Sequence, residues 1–338
     1  MPESRLLDGT AAESESAVTL HSGNELPPVA GVDDRSRLPR DLFERRPGHF
    51  LARFALALVL TAVCIAFVLY TKSIILTVIG LFFLGLLYGH LVEFQHECLH
   101  GHAFRSKLLN KWAGRITGVF FLSSYTHYKV EHLRHHATLG TAANTEFFDY
   151  KFSNLNSVWG LLFGAYNMAR YPRVVSYMWQ ALRGKPFTCA SQLPDQRDIR
   201  NEYLQFAALI VAAVGCSVYF HTWIVAELWV LPLLFSGEAT HFLIELPEHY
   251  GLNTQLLPDV LSNTRTIDGC ALSRWFTNWN NYHTAHHYHP GVPMVKVSKL
   301  DSLIRPKVQV HMPSYIGFYR GVIQGTIQHD ASISCMKR

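Results

Sequence analysis

Two long apolar stretches without charged side chains constrain the fold of this chain more than any other feature. Residues 54–71 and 74–92 contain no Asp, Glu, Lys or Arg, and only Lys72 and Ser73 separate them. An α-helix needs about 20 apolar residues to cross the hydrocarbon core of a bilayer, so each stretch can span it. The short separation therefore predicts a helical hairpin that crosses the membrane and returns.

A second pair of apolar stretches follows later in the chain. Residues 203–220 form the third predicted span, and residues 223–244 form the fourth, which Pro232 and two glutamates interrupt. Ionisable groups inside a span usually face the protein interior, so we expect Glu238 and His241 to point into a site. Residues 116–125 are too short to span, and the polar residues 152–169 are predicted to lie in the membrane interface.

The distribution of basic residues predicts the orientation. Lys72 is the only Lys or Arg in the two short turns, whereas many basic residues flank the opposite ends of the spans. The positive-inside rule therefore places both termini and the long connecting segments in the cytosol. Residues 1–46, rich in Ser, Glu, Asp and Pro, are predicted to be a disordered tail. We expect a membrane domain over residues 47–312 and a C-terminal tail over 313–338.

Composition excludes several classes of protein. Charged residues make up 16% of the chain, against about 25% in typical soluble domains. The net charge of +5 is accompanied by no basic tract interleaved with aromatic residues, so a nucleic-acid partner is not expected. The six cysteines are scattered without a CxxC pair, which excludes a disulfide framework and a zinc finger.

Histidines are concentrated in three clusters. The first is His96-Glu97-Cys98-Leu99-His100, and the second and third both have the pattern HxxHH, with the histidines His132, His135, His136, His283, His286 and His287. Spacings of three and four residues place side chains on one face of a helix. All three clusters lie near membrane ends on the predicted cytosolic side, so we expect them to meet.

These eight imidazoles predict a site for two metal ions. One zinc ion takes four ligands, whereas eight nitrogens suit two metals with four or five ligands each. Imidazole ligands suit Fe, Cu, Ni or Zn, and we favour iron because the two-metal site adjoins a lipid-facing chamber. His249 is a ninth candidate, because it lies just past the fourth predicted span, which would deliver it to the same interface.

Two other functional classes are compatible with parts of this pattern. The first cluster is an HExxH motif, in which a zinc protease uses Glu97 as a general base. That interpretation leaves the second and third clusters without a role. A histidine-rich metal transporter or sensor would carry polar residues throughout its spans, whereas these histidines gather at one membrane face.

The three clusters, in this order and between hairpins, resemble those of the membrane fatty-acid desaturase and hydroxylase superfamily. The resemblance extends over residues 50–310 and is strongest over 281–293 (NYHTAHHYHPGVP). Residues 144–149, 248–249 and 263–266 are also similar to the family. The resemblance implies four spanning helices in two hairpins, a cytosolic helical cap and a di-iron centre. It implies the ligands His96, His100, His132, His135, His136, His249, His283, His286 and His287.

The resemblance also implies an activity and its partners. We expect O2-dependent desaturation of a fatty-acyl chain, held as an acyl lipid or a thioester, with hydroxylation of a lipid or other long apolar substrate as the alternative. Side chains expected to support the ligands are Glu245, Asp149 and Asn280. Some relatives carry Asn at the position of Glu245, so the local charge differs here. The chain has no dinucleotide fingerprint and no iron–sulfur cysteine set. An external ferredoxin or cytochrome b5 donor with its reductase is therefore implied, and Lys107, Lys111 and Arg115 would attract either an acidic donor or lipid headgroups.

Overall fold

A hairpin of two long helices opens the fold. The structure, a computed structural model, describes residues 38–145 and 155–328. Helix α1 runs over Pro47–Tyr70 and helix α2 over Ile74–Leu99, with three residues between them. Pro47 is tolerated at the first position of α1 because its missing N–H would have no helical partner there. Helix α2 continues beyond its apolar stretch, so its last turns carry the first histidine cluster.

Three helices in the described part of the chain are long and apolar enough to cross a membrane. They are α1, α2 and a third helix over Leu193–Tyr219. Many apolar side chains on these helices point outward, including Val63 and Val211, which are 58% and 72% exposed. Outward-facing apolar side chains over a whole helix are expected where lipid replaces water. The chain therefore has the helices of a membrane protein.

Four shorter helices connect the hairpin to the third long helix. They are α3 (Lys107–Val119), α4 (Tyr125–Thr138), α5 (Val158–Ala165) and α6 (Arg170–Leu182), and Leu193–Tyr219 is α7. The side chains of Ser106, Ser124 and Ser157 accept a backbone N–H at the starts of α3, α4 and α5. With eight residues, α5 is too short to span a bilayer. The described part of residues 152–169 therefore contains no spanning helix, and its placement in the membrane interface stays a prediction; residues 152–154 lie outside the described residues.

The fourth predicted span is an irregular helix. It contains two π-helical segments, Ala226–Val230 and Leu233–Gly237, and continues as α8 over Glu238–His249. The Ser236 hydroxyl donates to the Phe82 carbonyl at 2.7 Å, which ties the second π-helical segment to α2. Because α8 directly follows this segment, its last residue, His249, lies near the C-terminal end of α2.

The C-terminal part consists of short elements packed around the third histidine cluster. The helices are α9 (Val260–Asn263), α10 (Ala271–Phe276), α11 (His283–Tyr288), α12 (Met294–Ile304) and α13 (Tyr315–Ile323), with a 3-10 turn at Arg305–Lys307. A 3-10 turn before α1, Arg40–Phe43, lies within the segment predicted to be a disordered tail and buries Leu42 against α12. Two short strands, β1 (Thr266–Ile267) and β2 (His311–Met312), pair in parallel, so the chain is not purely helical.

Part of the segment predicted as a C-terminal tail is folded. Helix α13 lies within it, with Phe318 and Val322 fully buried against Leu246 and Tyr250 of the α8 end. The Tyr319 hydroxyl donates to the Leu243 carbonyl at 2.6 Å. The buried apolar side chains and this hydrogen bond hold α13 against α8.

Candidate metal centre

Five of the predicted ligands meet at one point. His96, His100, His132, His136 and His286 place one ring nitrogen each within 4.8 Å of all the others. The Nε2 atom of His132 lies 2.9 Å from that of His96 and 3.0 Å from those of His100 and His136. Helices α2, α4 and α11 therefore each contribute to this five-histidine group.

The other four predicted ligands form an adjacent group. The Nε2 atom of His249 lies 3.1 Å from that of His135 and 3.0 Å from that of His283. His287 belongs to the same set of ring nitrogens as His135 and His249. We call these four residues the four-histidine group, which α4, α8 and α11 supply.

Oxygen acceptors fix three rings of the four-histidine group from outside. The Nδ1 atom of His135 lies 2.9 Å from Oδ1 of Asn144, and that of His283 lies 3.1 Å from Oδ1 of Asn280. The Nδ1 atom of His249 lies 3.0 Å from the Asn263 carbonyl. An acceptor at Nδ1 places the ring proton there, which leaves the Nε2 lone pair free to bind a metal.

The two groups fit metal ions and do not fit hydrogen bonding alone. A ring nitrogen carries either one proton or one lone pair, so Nε2 of His132 cannot satisfy three neighbouring ring nitrogens by hydrogen bonds. Two nitrogens that bind a common ion at ~2.1 Å and at right angles lie about 3 Å apart. Converging lone pairs at this spacing are the donor set of a cation site.

Burial keeps these imidazoles in the form that binds a metal. Desolvation lowers the pKa of His135 to about 4, although its contact with Asn144 acts in the opposite direction. Burial, and then neighbouring histidines, lower the pKa values of His136 and His283 well below their ordinary value. Neutral imidazole is the metal-binding form, so the site needs no deprotonation at neutral pH.

The glutamate of the HExxH motif does not serve this centre as a base. The Glu97 carboxylate is held by Arg53, with Nη2 to Oε2 at 3.0 Å, and by the Asn278 amide at 2.9 Å. Arg53 and Glu97 are both buried. A carboxylate committed to a buried guanidinium and an amide is a structural ion pair, so the geometry disfavours the zinc-protease interpretation.

The supporting side chains expected from the sequence differ in their placement. Asn280 contacts His283 and donates to Oε1 of Glu248 at 2.7 Å, and Glu248 in turn lies 3.5 Å from His283. Glu245 lies 3.5 Å from Nδ1 of His241. Burial, and then the charge of Glu245, raise the pKa of Tyr128 beside the five-histidine group. Asp149 lies outside the described residues.

Sequence reasoning gave no role to three residues that hold the centre together. Glu248, Asn144 and Asn263 contact ligand candidates, although they stand in the segments that resemble the desaturase superfamily. The resemblance of those segments to the superfamily was the available signal. Which ring each of them touches depends on tertiary packing.

The basic residues of α3 are largely neutralised within the molecule. Lys111 pairs with Asp198 at 2.6 Å, and Arg115 pairs with Glu202 at 2.7 Å. Both acidic residues lie on α7, so these pairs join α3 to the third long helix. Lys111 and Arg115 are therefore weaker candidates for attracting an acidic donor than the sequence implied.

The chain is similar to a family of known proteins and to a characterised relative. The family model described as fatty acid desaturase matches residues 72–319, which include all nine histidines of the two groups. The sn-1 acyl-lipid omega-3 desaturase (ferredoxin) of Synechocystis sp. is 31% identical over 112 residues. That alignment covers 33% of this chain and 31% of the relative, so the chain matches about a third of that protein's length.

Proposed function

Because the chain belongs to the fatty acid desaturase family, we propose that it is a membrane-bound oxidoreductase that introduces a carbon–carbon double bond into a fatty-acyl chain. The convergence of nine histidines on two adjacent points at the ends of long apolar helices supports this proposal. Apolar helices give access to a lipid substrate, and the histidines provide a metal site beside them.

In this proposal the two histidine groups hold one iron ion each. His96, His100, His132, His136 and His286 would bind the first, and His135, His249, His283 and His287 the second. The bound iron pair would supply the O2-dependent oxidation that removes two hydrogens from an unactivated alkyl chain. Imidazoles carry no charge that offsets the metal charge, whereas the carboxylates of soluble di-iron proteins do.

The protein's own side chains would keep the site ordered and dry. Asn144, Asn280 and the Asn263 carbonyl orient His135, His283 and His249, so their Nε2 atoms point inward. Six of the nine histidines are buried and the other three are partly buried, which excludes bulk water from the centre. Ligands held in place before the reaction require little reorganisation during it.

We propose an acyl lipid as the substrate and a ferredoxin-type or cytochrome b5-type protein with its reductase as the electron donor. The Synechocystis relative, which aligns over about a third of its length, is named as an acyl-lipid desaturase that uses ferredoxin. Its name supports both parts of the proposal. In this proposal the donor protein delivers electrons to the two histidine groups.

The experiment compares wild-type protein with His135→Ala and His286→Ala, one variant for each histidine group. Each protein is expressed in a host with a compatible donor, and membrane lipids are analysed by mass spectrometry for acyl chains that have lost two hydrogens. We expect new double bonds with the wild type and none with either variant. His311→Ala is the control, because His311 is exposed and pairs with Asp268.

Two results would contradict the proposal. One is double-bond formation by His135→Ala or His286→Ala at the wild-type rate while the protein remains in the membrane. The other is wild-type protein that contains zinc and no iron and leaves acyl chains unchanged. A product that has gained one oxygen instead would assign the chain to the hydroxylase alternative.

A further inference from the structure

A third group of metal-binding side chains lies outside the nine histidines. His127, Glu131 and Cys189 each place one donor atom within 4.8 Å of the others. His127 and Glu131 stand one turn apart on α4, and Cys189 lies in the connection between α6 and α7. His127 is buried, whereas Glu131 and Cys189 are partly buried.

An outside hydrogen bond fixes the His127 ring, as in established metal sites. Its Nδ1 atom lies 2.8 Å from the hydroxyl of Tyr203. When that hydroxyl accepts a hydrogen bond from Nδ1–H, Nε2 carries the lone pair that can bind a metal. The rings of Tyr177 and Phe187 pack around it, with centroids at 4.9 Å and 6.2 Å. The Tyr203 contact and the surrounding rings restrict the orientation of the imidazole.

The three side chains line a cavity of about 290 Å³ that has room for an ion and a bound water. Glu131 also pairs with Arg134 through Oε1. A carboxylate has two oxygens with several acceptor positions, so the ion pair is compatible with metal binding. Burial, and then the nearby Glu131 charge, raise the pKa of the Cys189 thiol to about 11. A divalent cation would offset both effects.

We propose that His127, Glu131 and Cys189 bind a zinc ion through Nε2, a carboxylate oxygen and Sγ, with a fourth position open to water. Nitrogen and thiolate ligands favour zinc over magnesium or calcium, and three protein ligands plus water complete a tetrahedral shell. The ion would join the connection before α7 to α4, the helix that also carries His132, His135 and His136.

The site is tested by counting metals in the full-length protein after equilibration with zinc and removal of unbound metal. Wild-type protein, Cys189→Ser, Glu131→Gln and the control Cys216→Ser are compared. Cys216 is an exposed cysteine of α7 and is remote in sequence from the cluster. We expect Cys189→Ser and Glu131→Gln to lose about one zinc per chain with unchanged iron, and Cys216→Ser to lose none.

Cobalt substitution identifies the ligand directly. Cobalt bound to a thiolate gives a sulfur-to-metal charge-transfer band in the near ultraviolet, whereas cobalt bound by the nine histidines does not. We expect the band in wild type and Cys216→Ser and its absence in Cys189→Ser. Absence of the band in wild type overturns the proposal even if a variant misfolds, and so does its presence in Cys189→Ser. Equal zinc content in wild type and Cys189→Ser also overturns it.

Discussion

At the scale of single residues, a buried ion pair links three distant parts of the chain. Arg53 of α1 holds Glu97 of α2, and the Asn278 amide donates to both the Glu97 carboxylate and the Glu93 carbonyl. Asn278 and Trp279 both adopt positive φ angles, and the Arg53 guanidinium stacks on the Trp279 ring at 4.7 Å. Such backbone conformations cost of order 1–3 kcal/mol each and persist where surrounding contacts impose them. The network therefore positions the segment that leads into the third histidine cluster.

Glu97→Gln is expected to affect folding more than chemistry. Removing one partner of a buried ion pair leaves the other charge unpaired, at a cost of roughly 3–5 kcal/mol. We expect a lower midpoint of thermal unfolding in detergent, and turnover per iron-loaded chain within about tenfold of wild type. The double variant Arg53→Met/Glu97→Gln should recover much of the midpoint, because it removes the unpaired charge.

The matched control is Glu44→Gln, since Glu44 is exposed. Turnover is normalised to folded protein with bound iron, so loss of folding does not count as loss of catalysis. A decrease of more than about a hundredfold in correctly loaded Glu97→Gln would contradict the structural role and point to general-base catalysis by Glu97.

The histidine spacing allowed the composition of the site to be predicted, but not its supporting contacts. His132 and His136 are four residues apart and join one group, whereas His135 beside them joins the other. Helical periodicity does not predict this division, because spacings of three and four both predict a shared face. The helices packed around α4 decide which group each ring joins. The Arg53–Glu97 pair joins residues 44 positions apart, and Asn278 is 181 positions from Glu97. No local pattern specifies such partners, because packing of separate helices brings them together.

At the scale of elements, close contact between α2 and the second π-helical segment brings the ends of α2 and α8 together. A Cβ atom on Gly85 would lie 2.0 Å from the Ser236 hydroxyl and 2.2 Å from the Pro232 carbonyl. Small residues allow the backbones of membrane helices to approach closely, so Gly85 is required for this contact. The apolar pattern predicted a helix over this region, but the π-helical segments follow from tertiary packing and have no sequence period of their own.

Gly85→Ala is therefore expected to destabilise the protein although alanine favours helices. The new methyl group must displace backbone atoms, and overpacking of this kind costs about 1–3 kcal/mol. We expect a lower unfolding midpoint and weaker iron retention, since the relative positions of α2 and α8 set those of His96, His100 and His249. Gly215→Ala in α7 is the control, because nothing lies within 4 Å of its added Cβ.

An unfolding midpoint for Gly85→Ala at or above that of Gly215→Ala would show that α2 and the π-helical segment adjust freely. Helix propensity alone predicts that result, since Gly costs up to about 1 kcal/mol relative to Ala in a helix. The comparison thus separates intrinsic helix preference from the packing of two elements.

At the scale of the whole molecule, we propose that four spans cross the membrane and that the histidine clusters lie at their cytosolic ends. Three described helices meet the length and hydropathy needed to cross a membrane. The residues from Ala226 to His249 provide the fourth span in this proposal, although two π-helical segments interrupt its regularity. An even number of spans places both termini on the same side, where most basic residues lie.

This topology is tested by labelling single cysteines in an active variant whose native cysteines are replaced. Ser73→Cys probes the first turn, Thr222→Cys probes the second, and native Cys270, restored alone, probes the cap. We expect an impermeant maleimide applied to intact cells to label Ser73→Cys and Thr222→Cys. Cys270, which is exposed in the structure, should react only after the membrane is permeabilised.

Labelling of Cys270 alone in intact cells would reverse the orientation. Labelling of Ser73→Cys without Thr222→Cys, where the latter reacts after permeabilisation, would mean that neither α7 nor the irregular helix crosses. The histidine groups require the C-terminal ends of α2 and α8 on the same side of the membrane. Labelling of both Ser73→Cys and Thr222→Cys in intact cells would therefore place the two hairpins around a common centre.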